Sequence, residues 1–116
     1  MPLAANLVTA LVALLHCWFL VLEMFLWDKP IGLKTFRLTP EKARDSKVLA
    51  ANQGLYNGFL AAGLVWGICC GGFTVKAFFL GCVIAAGLFG AATVSRKILF
   101  VQAAPAALAL VLLVAA

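Results

Sequence analysis

The stretch Ala50–Ala62, AANQGLYNGFLAA, lies inside a hydrophobic run that is long enough to cross a membrane. It nevertheless carries four polar side chains, Asn52, Gln53, Tyr56 and Asn57. On a helix, which turns ~100° per residue, these four fall within an arc of ~140°. Uncompensated amides in hydrocarbon cost several kcal/mol each, so we expect this face to look into protein or water. The stretch therefore predicts a polar pocket inside a membrane-spanning helix.

Small residues recur on the same helix at four-residue spacing, on two opposite sides. The two series are Gly54/Gly58/Ala62 and Gly63/Gly67/Gly71. Small residues at this spacing let helix backbones approach closely. This helix is therefore expected to be central and to touch neighbours on both sides.

The composition points to one class of protein. The 116 residues are 66% hydrophobic and 11% charged, with a mean hydropathy of +1.12. A soluble domain of this length would need far more polar surface, so the class is an integral membrane protein with one domain over residues 1–116. The N-terminal run lacks a basic segment and a cleavage site, and is expected to remain as a true span.

The hydrophobic pattern predicts an all-α, integral membrane four-helix bundle. Its spans cover about residues 3–27, 47–70, 76–94 and 98–115. Within the long first connection, Thr39-Pro40-Glu41 is typical of a helix start, with Thr39 as the N-cap. Gly71-Gly72 predicts the second turn, and residues 95–97 predict a tight hairpin. Pro105 is expected to free the carbonyl of Val101 in the last span.

The cationic residues predict the orientation in the membrane. Six of the nine lie between Lys29 and Lys47, and the first and third connections together hold eight of the nine. The positive-inside bias places these two connections in the cytoplasm and both termini outside. Basic residues beside spans meet anionic lipid head groups, so membrane lipids, and not nucleic acid, are the expected partner.

Polar residues of different spans are predicted to meet at one depth. Thr9, His16 and Glu23 share one stripe of the first span. At ~1.5 Å per residue, Glu23 lies at about the depth of Gln53 and Gln102. Amide and hydroxyl groups that bond across helices are ordinary, at about 0.6 kcal/mol each, whereas an ionisable group within a span marks function by default.

This convergence predicts a cytoplasm-facing pocket for a small molecule or lipid-like ligand. Glu23 and His16 are the candidate catalytic acid and base, since both can exchange protons near neutral pH. The residues expected to orient the ligand are Asn52, Gln53, Tyr56, Asn57 and Gln102. Whether the protein is an enzyme stays open.

The four cysteines show no metal-ligand spacing, and no metal site is predicted. Cys17, Cys69, Cys70 and Cys82 are interpreted as small apolar residues in helices. A redox role for the adjacent pair Cys69 and Cys70 is the less favoured alternative.

Three motifs resemble a known pattern. They are His16-x-x-Phe19-x-x-x-Glu23-x-x-x-Trp27, then Asn52-Gln53-Gly54-Leu55-Tyr56-Asn57-Gly58, then Gln102-x-x-Pro105-Ala106. Together they resemble a family of small four-span bacterial membrane proteins that is catalogued as a domain of unknown function. The resemblance covers nearly the whole chain and implies a multi-pass protein of the bacterial inner membrane. It implies no activity.

A looser similarity is to the membrane-associated eicosanoid and glutathione metabolism superfamily. The second helix of that superfamily carries a basic residue, then His, Asn or Gln, and Glu; Lys47, Asn52-Gln53 and Asn57 follow this pattern in part. No Arg or His occupies the middle, and Asn57 stands near the position of the superfamily's Glu. The similarity implies glutathione as a ligand at the cytoplasmic side and an assembly of three subunits. A homo-oligomer is also expected because a single bundle this thin offers little room for a ligand.

Two other functions stay open beside ligand binding. Small multidrug transporters are similar in length and also have four spans and a Glu in the first span, which suggests a proton-coupled small-molecule transporter. They place that Glu near the bilayer middle, whereas Glu23 is predicted near the cytoplasmic end of its span. The remaining alternative is a structural or accessory membrane protein.

Overall fold

Helices form all the regular structure in residues 2–116, which are the residues that the computed structural model describes. The helices are α1 (Pro2–Met24), α2 (Pro30–Phe36), α3 (Pro40–Trp66), α4 (Gly72–Thr93) and α5 (Ala104–Ala115). Two π-helical turns, Gly67–Gly71 and Leu99–Ala103, precede α4 and α5. The all-α prediction is confirmed, with four long helices and one short one.

The connection after α1 differs from the prediction. The first helix ends at Met24 and not at Trp27, and the short helix α2, which the sequence pattern did not indicate, follows. Pro30 begins α2 and holds Lys29 in an extended conformation, at φ −90° and ψ 163°. Arg37 ends α2 in the left-handed region at φ 53°. The proline and the two caps thus form a short helix within a segment that the hydropathy pattern predicts as one loop.

The start of α3 agrees with the prediction. The helix begins at Pro40, and the Thr39 hydroxyl accepts a hydrogen bond of 3.2 Å from the backbone N–H of Lys42. This bond satisfies one of the donors that the first turn of a helix leaves without a partner. Glu41 occupies the same turn, where a negative charge complements the helix dipole.

The chain reverses at Gly72, as the Gly71-Gly72 pair predicts. Gly72 has φ 72°, a conformation that favours glycine. A Cβ at Gly67 would lie 3.0 Å from the backbone nitrogen of Lys76, so the two helical segments of this hairpin are in contact. Small residues are required where helix backbones come this close.

The second reversal, around residues 95–97, brings α4 against the π-helical turn before α5. A Cβ at Gly87 would lie 2.7 Å from the backbone nitrogen of Ala103. Pro105 has no N–H to donate to Val101, which lies within that turn. The predicted break in helical bonding is therefore present as a π-helical turn.

The chain divides into two units. The first holds the chain up to Leu14 together with Leu60–Ala116, and the second is Leu15–Phe59. All four long helices contribute to the apolar core of the first unit, which is a four-helix bundle. The buried members of this core are Ala5, Val12, Ala13, Leu64, Leu80, Val83, Ala106, Ala109 and Leu113.

Two helical stretches are long and apolar enough to cross a membrane. They are Pro2–Met24 and the stretch Pro40–Thr93, which contains both α3 and α4; Leu99–Ala115 is a shorter apolar stretch. Many large apolar side chains remain exposed on these helices, including Leu3 at 71% and Phe89 at 72%. The four spans and their orientation stay predictions.

Candidate functional site

Glu23 is buried at the end of α1, in the unit Leu15–Phe59, with 4% of its surface exposed. It occupies the penultimate position of the helix, just before the connection that contains α2. A buried carboxyl group requires hydrogen-bond partners, because desolvation of an unpartnered one costs several kcal/mol. The structure supplies these partners from α3.

Two side-chain amides of α3 engage the Glu23 carboxyl. Gln53 Nε2 donates to Oε2 at 2.8 Å, and Asn57 Nδ2 donates to Oε1. The two amides are four residues apart and therefore lie on the same side of α3. Each carboxyl oxygen accepts one hydrogen bond, so the three side chains form one cluster, called here the Glu23 cluster (Glu23, Gln53 and Asn57).

Glycines of α3 allow the close approach that these bonds need. A Cβ at Gly54 would lie 2.6 Å from Met24 Cγ and 3.1 Å from Glu23 Cβ. A Cβ at Gly58 would lie 2.7 Å from Leu20 Cδ1. Gly54 and Gly58 of the first predicted series thus pack against α1, as expected for small residues at four-residue spacing, whereas Ala62 is exposed.

No cation accompanies the Glu23 carboxyl among the residues that the structure describes. The ion pair recorded within residues 2–116 is the one between Lys47 Nζ and Asp28 Oδ2, at 2.9 Å. The hydrogen bond from Lys47 lowers the pKa of Asp28 below its ordinary value. The side-chain partners of Glu23 in residues 2–116 are neutral amides, so a change in its charge would break no ion pair there.

Two of the four polar residues of the central motif, Gln53 and Asn57, bond to the Glu23 carboxyl, and the predicted ligand contacts of Asn52 and Tyr56 stay predictions. Asn57 is buried, whereas Asn52, Gln53 and Tyr56 are exposed. Tyr56 packs edge-on against Phe59, with ring centroids 5.8 Å apart. An arc of ~140° is wider than the contact surface of one helix neighbour, so part of the motif reaches α1 and part points away from it.

His16 is fully buried on α1, two helical turns before Glu23. Its ring lies 5.2 Å from that of Phe19 in an edge-to-face arrangement. At ~1.5 Å per residue the two candidate acid–base groups are ~10 Å apart along the helix axis. They share the predicted stripe, and a proton would need an intermediate group to move between them.

The other predicted polar residues lie in the unit that contains α4 and α5. Thr9 is buried and donates to the carbonyl of Ala5 at 2.7 Å. Thr93 is exposed and donates to the carbonyl of Phe89 at 2.7 Å. Both hydroxyls therefore bond within their own helices.

Gln102 is half-buried in the π-helical turn before α5. It belongs to the unit Leu60–Ala116 and not to the segment that holds the Glu23 cluster. Its predicted contribution to the ligand site stays a prediction.

Polar contacts that the sequence reasoning missed join the ends of α1 and α3. Trp27 Nε1 donates to Ser46 Oγ at 3.1 Å, and Ser46 Oγ donates to the carbonyl of Lys42 at 2.6 Å. The Trp27 ring also packs on Phe36 of α2, with centroids 4.7 Å apart. Trp27 follows Glu23 by four residues, which would place it on the same side of a continuous helix, and this spacing could have indicated a contact with α3. Trp27 thus contacts both α2 and the first turns of α3.

The described part of the chain has no set of side chains that could bind a metal ion. Residues 2–116 contain no group of three or more His, Cys, Asp or Glu side chains placed to hold an ion. The four cysteines are free thiols, and Cys69 and Cys70 are exposed in the turn between α3 and α4.

Comparisons with known proteins support the resemblance at the level of the family. Residues 10–114 match the model of a family described as "Protein of unknown function (DUF1304)". The chain is 30% identical over 115 residues to "Uncharacterized protein YpaA" of Lactococcus lactis subsp. lactis (strain IL1403), which covers 96% of this chain and 97% of that protein. No solved structure matches the chain. The chain therefore belongs to the DUF1304 family of proteins of unknown function.

Proposed function

We propose that this chain is a multi-pass inner-membrane protein whose Glu23 cluster forms a cytoplasm-facing site for a small molecule or lipid-like ligand. The observation that carries the proposal is a buried carboxyl group that two neutral amides hold and that forms no ion pair within residues 2–116. Membrane-embedded ionisable groups mark functional sites by default, because their desolvation is costly.

The exposed surface supports the membrane location. Large apolar side chains on several helices face outward, among them Val48 at 82% and Phe100 at 70% exposure. Continuous apolar surface of this kind is a contact for lipid or for other protein. The concentration of cations in residues 29–47 supports the orientation that places the connection containing α2 in the cytoplasm.

The chemistry of the cluster favours a ligand that donates hydrogen bonds. Each Glu23 oxygen accepts one amide bond and has a second lone pair available. The amide oxygens of Gln53 and Asn57 are acceptors as well, because their nitrogens are directed at the carboxyl. Three side chains thus offer acceptor groups, which suits hydroxyl, amine or ammonium groups.

Proton-coupled transport is the second candidate. It is also favoured because Glu23 has no cationic partner among the described residues. A carboxyl held by neutral amides changes charge when it gains or loses one proton, with no ionic partner to break. In this alternative Glu23 exchanges its proton for the transported molecule. A purely structural role would make the same cluster an interhelical hydrogen-bond network.

Native mass spectrometry of the protein in lipid nanodiscs tests the proposal. The wild type is expected to retain a copurified small molecule or lipid that Glu23→Gln does not retain, while both keep the same helical content. Thr93→Val serves as the control, because this exposed hydroxyl bonds only to its own helix. Added glutathione and added amines are the probe ligands if nothing copurifies. Equal ligand retention by the wild type and Glu23→Gln contradicts the proposal.

A further inference from the structure

We infer that the exposed face of α3 around Asn52 is the surface through which copies of this chain associate in the membrane. This face, called here the Asn52 face, consists of Asn52 with its neighbours one or two turns away. The neighbours are Val48, Leu55, Tyr56 and Phe59. The inference rests on the proposed function in one respect, namely that α3 lies in lipid.

Asn52 differs from the other two amides of its motif. Gln53 and Asn57 bond to Glu23, whereas Asn52 is exposed and makes no hydrogen bond within the described residues. Its amide therefore leaves two donor hydrogens and one carbonyl oxygen without protein partners. In hydrocarbon such a group costs several kcal/mol, so an Asn on a spanning helix requires a partner.

The residues next to Asn52 on this face are mostly apolar, for one turn toward the start of α3 and for two turns toward its end. Val48, one turn toward the start of α3, is 82% exposed, and Leu55 and Phe59 on the other side are 43% and 54% exposed. Asp45, two turns toward the start of α3 on the same side, is exposed, so the amide lies two turns inside the polar edge of this surface. One amide in an apolar seam is the pattern by which helices fix their alignment with one another.

A second copy of the chain supplies the chemistry that Asn52 lacks. An amide is both donor and acceptor, so an identical amide satisfies it on both counts. Copies inserted with the same orientation carry Asn52 at the same depth, and closed symmetry brings like residues together around its axis. The apolar neighbours then pack on their counterparts and exclude lipid from the amide pair.

Disulfide cross-linking in lipid nanodiscs or native membranes tests this interface. In a background without the four native cysteines, Leu55→Cys introduces a thiol on the Asn52 face. Leu88→Cys introduces one on α4 at a leucine of comparable exposure, 53% against 43%. Oxidation is expected to give covalent dimers from Leu55→Cys and few from Leu88→Cys. Equal cross-linking at both positions overturns the interface.

A second variant separates the amide from the apolar contact. Asn52→Leu removes the hydrogen bond, keeps the side-chain size and disturbs no bond within the described chain. Association of the Leu55→Cys protein is expected to weaken roughly threefold or more, the effect of one interhelical hydrogen bond. Unchanged association in Asn52→Leu, or a monomeric wild type in nanodiscs, overturns the proposal.

Failure of this inference is distinguishable from failure of the proposed function. A chain that stays in the membrane fraction and loses its ligand in Glu23→Gln, yet cross-links at neither position, contradicts the interface alone. A cross-link from the Asn52 face to a different protein, detected as a heterodimer mass, also contradicts self-association. Recovery of the wild type without detergent in the soluble fraction contradicts both.

Discussion

Gln53 of α3 donates its side-chain amide to Glu23 of α1 at 2.8 Å, across 30 residues of sequence. Asn57, one turn further along α3, donates to the second oxygen of the same carboxyl group. Because both oxygens are engaged from one face of α3, rotation of either helix would break at least one bond. Within the unit Leu15–Phe59, this cluster therefore fixes how the two helices face each other.

Removal of the Asn57 amide is expected to destabilise the protein. In Asn57→Leu one oxygen of the buried Glu23 carboxyl loses its donor, and an unsatisfied buried group costs about 1–3 kcal/mol. Unfolding of the purified protein in detergent, followed by circular dichroism, measures the change in free energy.

The matched control is Asn52→Leu, made five residues earlier on the same helix and measured at dilutions where the chain is monomeric. Asn52 is exposed and makes no bond within residues 2–116, so its effect is expected to stay within about 0.5 kcal/mol. Equal destabilisation by the two variants would show that the Glu23 cluster does not stabilise the fold.

Gly87→Ala is expected to destabilise the unit that contains α4 and α5. The added Cβ would lie 2.7 Å from the backbone nitrogen of Ala103, and overpacking against backbone costs about 1–3 kcal/mol. Gly81→Ala on the same helix has no atom within 4 Å of the new Cβ. It is expected to stabilise by about 0.5–1 kcal/mol through helix propensity. A thermal unfolding series of the two variants checks the opposite signs, and equal signs would refute the packing of α4 on this turn.

The Asp28–Lys47 pair predicts a small acid-dependent change in stability. The folded pKa of Asp28 is lowered, so the pair stabilises the fold above the ordinary value of 3.8 and is lost as the pH falls below it. Lys47→Gln is expected to lower the melting temperature at neutral pH and to match the wild type in strong acid. Both side chains are partly exposed, at 54% and 31%, so the effect is small.

Lys42→Gln is the control for this measurement, because Lys42 forms no ion pair among the described side chains. Its melting temperature is expected to follow the wild type at every pH. A difference between Lys47→Gln and the wild type that persists in strong acid would assign the effect to something other than this ion pair.

The orientation in the membrane is testable by cysteine labelling in a background without native cysteines. A thiol at Lys34 or Arg37 is expected to react with a membrane-impermeant reagent only from the cytoplasm, because the cationic residues flank it. Thr74→Cys, in the first turn of α4, is expected to react only from outside. Labelling of position 34 from outside would reject the predicted topology.

The sequence predicted turns, caps and close helix contacts at positions where one residue type is strongly preferred for steric or hydrogen-bonding reasons. Gly72 has a positive φ at the predicted turn, Thr39 caps α3, and Pro105 follows the predicted interruption of helical bonding. Gly54 and Gly58 contact α1 as expected for small residues at four-residue spacing. Each of these predictions depends on local sterics or on a missing donor, which do not require knowledge of distant residues.

The candidate site was predictable only in part. Gln53 and the stripe of Thr9, His16 and Glu23 followed from helical periodicity and depth, and all three residues of the stripe are buried. Periodicity could not show that Asn52 and Tyr56 point away from Glu23, because their arc spans two faces of α3. Hydrophobic periodicity also could not predict that α2 forms, because this short helix depends on Pro30 and on the geometry of its caps.

The contacts between the connection after α1 and the start of α3 could not be predicted from the sequence either. The Trp27–Ser46 hydrogen bond and the Lys47–Asp28 ion pair each join residues that are 19 positions apart. Their pairing depends on the length and turn of the intervening connection. That geometry is a tertiary property, and no local pattern specifies it.

The central claim is that the Glu23 carboxyl binds a ligand and is not only a hydrogen-bond partner for two helices. The most direct measurement adds the small-molecule and lipid fraction extracted from the wild type back to ligand-stripped wild type and to Glu23→Gln. Glu23→Gln keeps the side-chain size, and its new NH2 group finds an acceptor when the Gln53 or Asn57 amide turns over to present its oxygen. Its unliganded melting temperature is therefore expected to lie close to that of the wild type. We expect the fraction to raise the melting temperature of the wild type, since a ligand that binds the native state stabilises it, and to leave that of Glu23→Gln unchanged. An equal rise in both proteins, or no rise in either, would contradict the claim.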